Sequence, residues 1–133
     1  MREMSTEKFH SNTIKEIAVS FLKEVASGNV REAYQNYVAP NFKHHNPYFR
    51  GDANTLMLAM EENAAASPSK SFEVKFAIQE KETVVVYSHV KQNPKDLGVA
   101  VVHIFRFQEN QIVELWDLGT QIPEDSPNEN GMF

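Results

Sequence analysis

The stretch 98–121, GVAVVHIFRFQENQIVELWDLGTQ, decides the fold class of this 133-residue chain. Both halves of the stretch are rich in β-branched and aromatic residues, and the polar triplet Gln108-Glu109-Asn110 separates them. Such runs on either side of a short polar segment are typical of an antiparallel hairpin. We therefore predict two strands, 98–107 and 111–121, joined by a tight turn.

The register of this hairpin predicts which side chains share a face. A three-residue turn with Asn110 in the left-handed conformation pairs Phe107 with Gln111, and opposed residues then keep a constant sum of residue numbers. Because opposed residues share a face, Asp117 and His103 lie on the same side of the hairpin. The predicted pairs on that face are His103 with Leu115, Phe105 with Val113, and Val101 with Asp117. The carboxyl group of Asp117 is therefore expected among apolar side chains.

The opposite face of the hairpin is largely apolar as well. It carries Trp116 and, across from one another, Arg106 and Glu114. Both faces are therefore expected to be buried against other parts of the protein. We expect helices against one face and a second copy of the chain against the other, so a homodimer is predicted.

Periodic apolar residues predict helices before the strands. In 13–26 these residues are spaced by three and four, and Thr13 with Glu16 fits a capping box at the start. A second capping box, Asn29 with Glu32, is expected to begin a shorter helix. Two helices joined by a tight turn are therefore predicted.

The next segment, 41–52 (NFKHHNPYFRGD), shows no periodicity and is predicted to be an ordered loop. Its histidine and aromatic rings make it a candidate wall of a site. Asp52 or Asn54 can cap a third helix. One face of that helix is expected to carry Leu56, Ala59, Met60 and Asn63.

Alternating residues predict two more strands. Phe72, Val74, Phe76 and Ile78 alternate with polar residues, so we expect all four on one buried face. Residues 83–91 (TVVVYSHVK) form the next strand. We predict one domain over 1–133 of the α+β class, with three N-terminal helices packed in a curled four-stranded antiparallel sheet. Residues 123–133 are polar and are predicted by composition to be a loose tail.

Composition excludes several classes of protein. The formal net charge of -5 opposes binding to nucleic acid or anionic lipid. Without cysteine there is no disulfide, no zinc–thiolate site and no cysteine nucleophile. Residues 1–10 lack the apolar stretch of a signal peptide, and no run is long enough to span a membrane. We expect a soluble cytoplasmic protein that binds neither nucleic acid nor membrane.

Asp117 is the first candidate for chemistry. An apolar environment penalises an ionised carboxyl group, which suits it to proton transfer near neutral pH. The alternative is a structural carboxylate, hydrogen-bonded to backbone amides or to a neighbouring side chain. His103 likewise is either a partner in proton transfer or a satisfied core histidine. His44 and His45 add two imidazoles, but no His-x-His or His-x-x-x-His spacing occurs, so no metal site is predicted.

Two further candidates lie on the strand 83–91. If Lys91 pairs with Val99 across the preceding hairpin, Tyr87 and His89 face the same side as Asp117. A slip of one residue would turn both side chains to the other face.

Four segments resemble one known family. HHNPY in the loop, VVHIFRF and VELWD on the last two strands, and PEDSPNENGMF at the end look like the SnoaL-like proteins of the nuclear transport factor 2-like superfamily. They are most similar to its predicted SnoaL-like aldol condensation-catalysing enzymes, over about Phe9 to Phe133. The resemblance implies a cone-shaped α+β barrel around a deep pocket, a homodimer through the outer sheet face, and acid/base chemistry without cofactor or metal. It also implies that 123–133 folds back onto the dimer interface or the pocket rim.

The resemblance also assigns residues. Asp117 matches the aspartate of the family's Trp-Asp motif, and His45 matches the histidine of its His-Asn-Pro loop. The chain departs from this branch at His103, where Asp is usual, and at Leu115, where His is usual. In the predicted register a cross-strand Asp–His pair has thus become His–Leu. His103 is then a candidate diagonal partner of Asp117, which would favour its charged form.

We therefore expect a pocket for a hydrophobic small molecule and an aldol, isomerase or dehydratase reaction on a carbonyl compound. Asp117 and His103 are the expected catalytic residues. The expected substrate-binding residues are His45, Tyr48, Tyr87, His89, Phe105 and Leu115. The alternative is a noncatalytic ligand-binding or dimeric stress-associated module of the same fold.

Overall fold

The structure, a computed structural model, describes residues 13–133. Its elements are α1 (Ile14–Ala26), α2 (Val30–Tyr37), β1 (Val38–His44), α3 (Ala53–Ala66), β2 (Ser71–Glu80), β3 (Thr83–Lys91), β4 (Val99–Gln108) and β5 (Gln111–Gln121). The strands form a sheet in the order β1-β5-β4-β3-β2, in which β1 runs parallel to β5 and the other pairs are antiparallel. The predicted α+β class is confirmed. The prediction for residues 1–10 lies outside the described residues.

The first predicted helix cap is confirmed and the second is wrong. Thr13 N donates to Glu16 Oε1 at 2.8 Å, and Glu16 N donates to Thr13 Oγ1 at 3.1 Å. Asn29 precedes α2 but makes no capping bond with its side chain. Its backbone N–H donates to Glu24 O, which closes α1, and its ψ of 52° lies outside the extended region that a side-chain cap uses. The turn is too short for both arrangements.

The prediction of four strands is wrong because part of the expected loop forms β1. Val38 pairs with Ile112, and His44 pairs with Leu115. The register shifts between Val38 and Lys43, where Pro40 interrupts the pairing. A proline is tolerated on an edge strand because its missing N–H need not join the ladder.

Strand β2 does not keep all its apolar side chains on one face. Its register against β3 shifts between Val74 and Phe76, which leaves Lys75 as an extra residue. This bulge turns Phe76 and Ile78 to the outer face of the sheet, where they are about half exposed. Phe72 and Val74 pack against the core as predicted.

The hairpin of β4 and β5 has a tighter turn than predicted. Gln108 pairs with Gln111, and the two turn residues, Glu109 and Asn110, both have positive φ. The register then shifts by one residue at Val113. The pairs predicted for the face of Asp117 are therefore wrong, since His103 pairs with Asp117 and Phe105 with Leu115. The predicted pairing of Arg106 with Glu114 is confirmed. The prediction that His103 and Asp117 share a face is confirmed.

The predicted register between β3 and β4 is wrong by one residue. Val99 pairs with Val90 rather than with Lys91. The connection ends at Gly98, whose φ of 92° is a conformation that other residues rarely adopt, and whose position beside Val90 O leaves no room for a Cβ. This close approach starts the pairing one residue earlier. Tyr87 and His89 consequently point to the outer face, away from Asp117.

The helices cover the inner face of the sheet. The ring of Phe21 on α1 packs edge-on against Phe105 on β4 at a centroid distance of 6.0 Å, and against Tyr34 on α2 at 5.4 Å. This apolar cluster runs along α1, and a cavity lies beside the last turns of the helix, where Leu22, Val25 and Ala26 line it. Among residues 13–133, no helix is long and apolar enough to cross a membrane.

Candidate active site

A cavity of about 300 Å³ lies between the helices and the inner face of the sheet. This volume is at the small end of the range for ligand pockets. Its apolar wall comes from α1, α3 and the strands, and consists of Leu22, Val25, Ala26, Leu56, Ala59, Met60, Phe72, Val90 and Val101, with Phe49 from the loop after β1. Its polar residues are Asn46, Asn63, Lys70, His103 and Asp117. The prediction that one face of α3 carries Leu56, Ala59, Met60 and Asn63 is confirmed.

Asp117 on β5 presents its carboxylate to this cavity. Asn46 Nδ2 donates to Asp117 Oδ2 at 3.1 Å. The other oxygen, Oδ1, lies 3.8 Å from Nε2 of His103, which is too far for a hydrogen bond. One carboxylate oxygen is thus held in place, while the other faces the cavity and the imidazole.

His103 is buried opposite Asp117. Burial lowers its pKa from the ordinary value of 6.5, Asp117 opposes this change, and the charge of Lys70 reinforces it. The charge of Asp117 favours the charged imidazole as expected, but desolvation has the larger effect, so the pKa of His103 is lowered rather than raised. Its Nδ1 atom has no hydrogen-bond partner among residues 13–133. His103 is thus a neutral imidazole at neutral pH.

Lys70 is a cavity residue that sequence reasoning missed. It directly precedes β2 in the polar segment after α3, where a lysine is usually a solvated surface residue. Its Nζ donates to Oδ1 of Asn63 at 2.6 Å. Burial lowers the pKa of Lys70, and Asp117 opposes this effect. The apolar residue Phe72, two positions further along β2, was the only signal that this segment reaches the core.

Comparisons with known proteins place this chain in a family. A model described as "SnoaL-like domain" matches residues 18–115. The chain belongs to the SnoaL-like domain family. The family resemblance predicted from the four segments is thereby confirmed. No curated protein matches the sequence.

Solved structures share the fold of this SnoaL-like domain. An NTF2-like protein of unknown function from Cytophaga hutchinsonii is 17% identical, with a TM-score of 0.66 over 81% of this chain and 90% of that one. A cystatin-fold protein from Novosphingobium aromaticivorans is 19% identical, with a TM-score of 0.66 over 81% and 99%. A candidate polyketide cyclase from Acidithiobacillus ferrooxidans is 22% identical, with a TM-score of 0.64 over 82% and 89%. These TM-scores show a common fold.

The loop after β1 contributes different residues to the cavity than predicted. Asn46 and Phe49 line the cavity, whereas His45 and Tyr48 do not. His45 stacks on Trp116 at 4.9 Å on the outer face of the sheet, and its Nε2 lies 2.6 Å from Glu114 Oε2. Tyr48 is 86% exposed. His45 directly follows His44, the last residue of β1, and adjacent side chains along a strand alternate between faces, so His45 faces the other way from the buried His44.

His44, the neighbour of His45, has a structural place in the SnoaL-like domain. It is buried, accepts a hydrogen bond from Asn46 N at Nδ1, and donates from Nε2 to Arg50 O. These two bonds tie the loop to itself and hold Asn46 beside the cavity. His44 therefore positions the residue that binds Asp117.

Tyr87 and His89 do not line the cavity but contact residues 132–133. The Tyr87 hydroxyl donates to Met132 O at 2.6 Å, and the His89 ring lies 4.7 Å from the ring of Phe133. Lys75 Nζ lies 4.9 Å from the centre of the same ring. The end of the segment 123–133 thus packs on the outer face of the sheet, so the segment is not a loose tail. None of its residues lines the cavity.

Phe105 and Leu115 belong to the hydrophobic core. Both side chains are fully buried, and neither lines the cavity. They form a cross-strand pair next to the pair of His103 and Asp117. They therefore pack beside the site in the core and do not contact the cavity. Within the described part of the chain, no group of three or more histidine and carboxylate side chains has the geometry to hold a metal ion.

Proposed function

We propose that this SnoaL-like domain binds a small hydrophobic carbonyl compound in its cavity and transfers a proton to or from it. The observation that carries the proposal is the carboxylate of Asp117, which is 21% exposed on an otherwise mostly apolar wall with one oxygen fixed by Asn46. Proton transfer at the carbon next to a carbonyl is the step that aldol condensation, isomerisation and dehydration share. The candidate polyketide cyclase of the same fold supports this class of chemistry.

In the proposed reaction Asp117 is the general base. Oδ1 removes the proton, while the hydrogen bond from Asn46 keeps the carboxylate in one orientation. His103 is neutral, so its Nε2–H can donate to the substrate without adding a charge to the cavity. A positioned acid or base of this kind contributes a factor of about 10² to 10⁴ in rate.

A noncatalytic ligand-binding role is the second candidate. It is favoured by the gap of 3.8 Å between His103 and Asp117, because the two groups do not form a hydrogen-bonded relay. In this alternative the cavity holds an apolar compound, and Asp117 only accepts the hydrogen bond from Asn46.

Hydrogen exchange distinguishes the two candidates. Small aromatic ketones and aldehydes are incubated with the protein in D₂O, and loss of the α-proton signal is followed by NMR. We expect exchange by the parent and a loss of about 10² to 10⁴ in rate for Asp117→Asn, which keeps an acceptor for Asn46. Asp125→Asn, at an exposed position, is the matched control. A parent that exchanges no substrate, with a large loss of melting temperature in Asp117→Asn, would support the structural role.

We also propose that the outer face of the sheet forms a homodimer. Phe76, Ile78 and Leu118 expose between 51% and 60% of their surface there. Exposed apolar patches of this kind are typical of protein interfaces. Light scattering at micromolar concentration tests the proposal, with Leu118→Lys expected to yield monomers. A monomeric parent would contradict it.

A further inference from the structure

The cavity contains two opposite charges that do not neutralise one another. Lys70 and Asp117 both line it, yet within residues 13–133 they form no salt bridge. They are close enough for the charge of Asp117 to oppose the lowering of the Lys70 pKa. Two charges that face the same small volume without touching leave space between them for a polar ligand.

Lys70 is held in place by neighbours that leave donors free. Its ammonium group donates to Asn63 Oδ1 at 2.6 Å, and Asn63 Nδ2 donates in turn to Gln92 Oε1 at 3.2 Å. An ammonium group has three donors, so two remain beyond the bond to Asn63 among the described residues. The side chain is half-buried against Phe72 and other apolar residues of the wall. The arrangement is a fixed cation with unused donors in an apolar cavity.

We propose that Lys70 binds the substrate oxygen that becomes anionic when Asp117 removes a proton. This inference rests on the proposed function and names its substrate class, an enolisable aldehyde or ketone whose acidic C–H lies beside Asp117 while its carbonyl oxygen lies beside Lys70. The electron pair of the broken C–H bond forms the C=C bond of an enolate, and the carbonyl π electrons move to oxygen. The proton resides on Asp117 and the negative charge lies beside Lys70. Return of the proton to carbon completes an isomerisation. In a dehydration the enolate reforms the carbonyl, a C=C bond forms as the C–O bond at the next carbon breaks, and the proton passes to the departing oxygen.

The proposal assigns the electrostatic part of catalysis to Lys70. Donors aimed at the position where charge develops act most strongly where water is excluded. His103 cannot supply this charge because burial keeps it neutral. Among the cavity residues of the described chain, Lys70 is the only cation.

A phenol that ionises near neutral pH tests this role without catalysis. 4-Nitrophenol is titrated with the parent protein, and the absorbance of the bound phenolate is measured across pH. We expect preferential binding of the phenolate by the parent and a loss of about tenfold in phenolate affinity for Lys70→Gln, which keeps a donor for Asn63. Lys70→Arg should retain most of the affinity. Lys95→Gln, at an exposed position, is the control and should not change it.

Asp117→Asn provides a second variant for the same measurement. Removal of the like charge should raise the affinity for the phenolate, so this variant tests whether the phenolate binds in the cavity even if Lys70→Gln is too unstable to be measured. Equal phenolate affinity in the parent and Lys70→Gln, or no response to Asp117→Asn, would overturn the proposal.

The hydrogen-exchange assay separates this inference from the proposed function. If the parent exchanges no α-proton but binds phenolate in a way that depends on Lys70, the proposed function is rejected and the cavity is an anion-binding site. If Lys70→Gln exchanges the α-proton as fast as the parent does, the proposed function stands and the role of Lys70 is rejected.

Discussion

Replacing Phe133 with Ala is expected to release the segment 123–133 from the outer face of the sheet. The ring is 45% exposed, so about half of its surface is buried. Since burial of a whole Phe side chain contributes about 1.5–3 kcal/mol, the lost burial is worth about 1 kcal/mol. The ring contact with His89, at 4.7 Å, adds about 0.5 kcal/mol or more. The free energy of unfolding should therefore fall by about 1–2 kcal/mol.

A double-mutant cycle with Tyr87→Phe tests whether the segment is released as a unit. Tyr87→Phe removes only the hydroxyl that donates to Met132 O, and we expect it to cost about 1 kcal/mol in the parent. In the Phe133→Ala background the same change should cost little, because the segment has already left the face. The expected coupling is about 1 kcal/mol.

Urea denaturation measures all four proteins of the cycle. For 133 residues, 1 kcal/mol corresponds to about 4 °C in melting temperature, which gives an independent check. Tyr48→Phe is the matched control, because Tyr48 is 86% exposed and should leave stability unchanged. Additive effects of Tyr87→Phe and Phe133→Ala would refute the reasoning, since each contact would then form without the other.

Two further predictions concern buried polar groups. Ser88→Ala should raise the free energy of unfolding by about 1 kcal/mol, because the hydroxyl oxygen of Ser88 is buried with no partner among residues 13–133; a marked loss of stability in a melt would instead reveal a bound partner. The hydrogen bond with His45, followed by that from Arg106, holds the pKa of Glu114 below its ordinary 4.5. As the pH falls, Glu114 is therefore protonated in the unfolded chain before it is protonated in the folded one. Its contribution to the free energy of unfolding is present above about pH 4.5 and is lost as the pH falls through the folded-state pKa. Glu114→Gln should therefore flatten the acid side of a stability–pH profile, and an unchanged profile would contradict this; the exposed Glu80→Gln is the control.

Local patterns predicted the elements that depend on local interactions. The capping box of Thr13 and Glu16, the face of α3 and the β4–β5 hairpin each follow from residues a few positions apart. The shared face of His103 and Asp117 was predicted by a register that was wrong by two residues. A shift of two preserves the face of a strand, whereas the shift of one on β3 reversed the placement of Tyr87 and His89.

The features that could not be predicted depend on contacts distant in sequence. The parallel strand β1 pairs with β5, which lies about seventy residues further along, and the segment shows no alternation. The bulges at Lys75 and Val113 each add one residue without any mark in the apolar pattern. Lys70 reaches the cavity only because the turn before β2 brings it beside Asn63 and Asp117.

The bulge at Val113 determines the chemical character of the cavity. The two-residue turn alone would place Trp116 opposite His103, and the extra residue at the bulge replaces it with Asp117. Deletion of one residue between the turn and Leu115 would thus exchange the two sides of β5, with an indole facing the ligand and the carboxylate facing outward. The cavity would then have lost the carboxylate of Asp117. In engineering this domain, the length of the hairpin is therefore as important a variable as the identity of the residues in it.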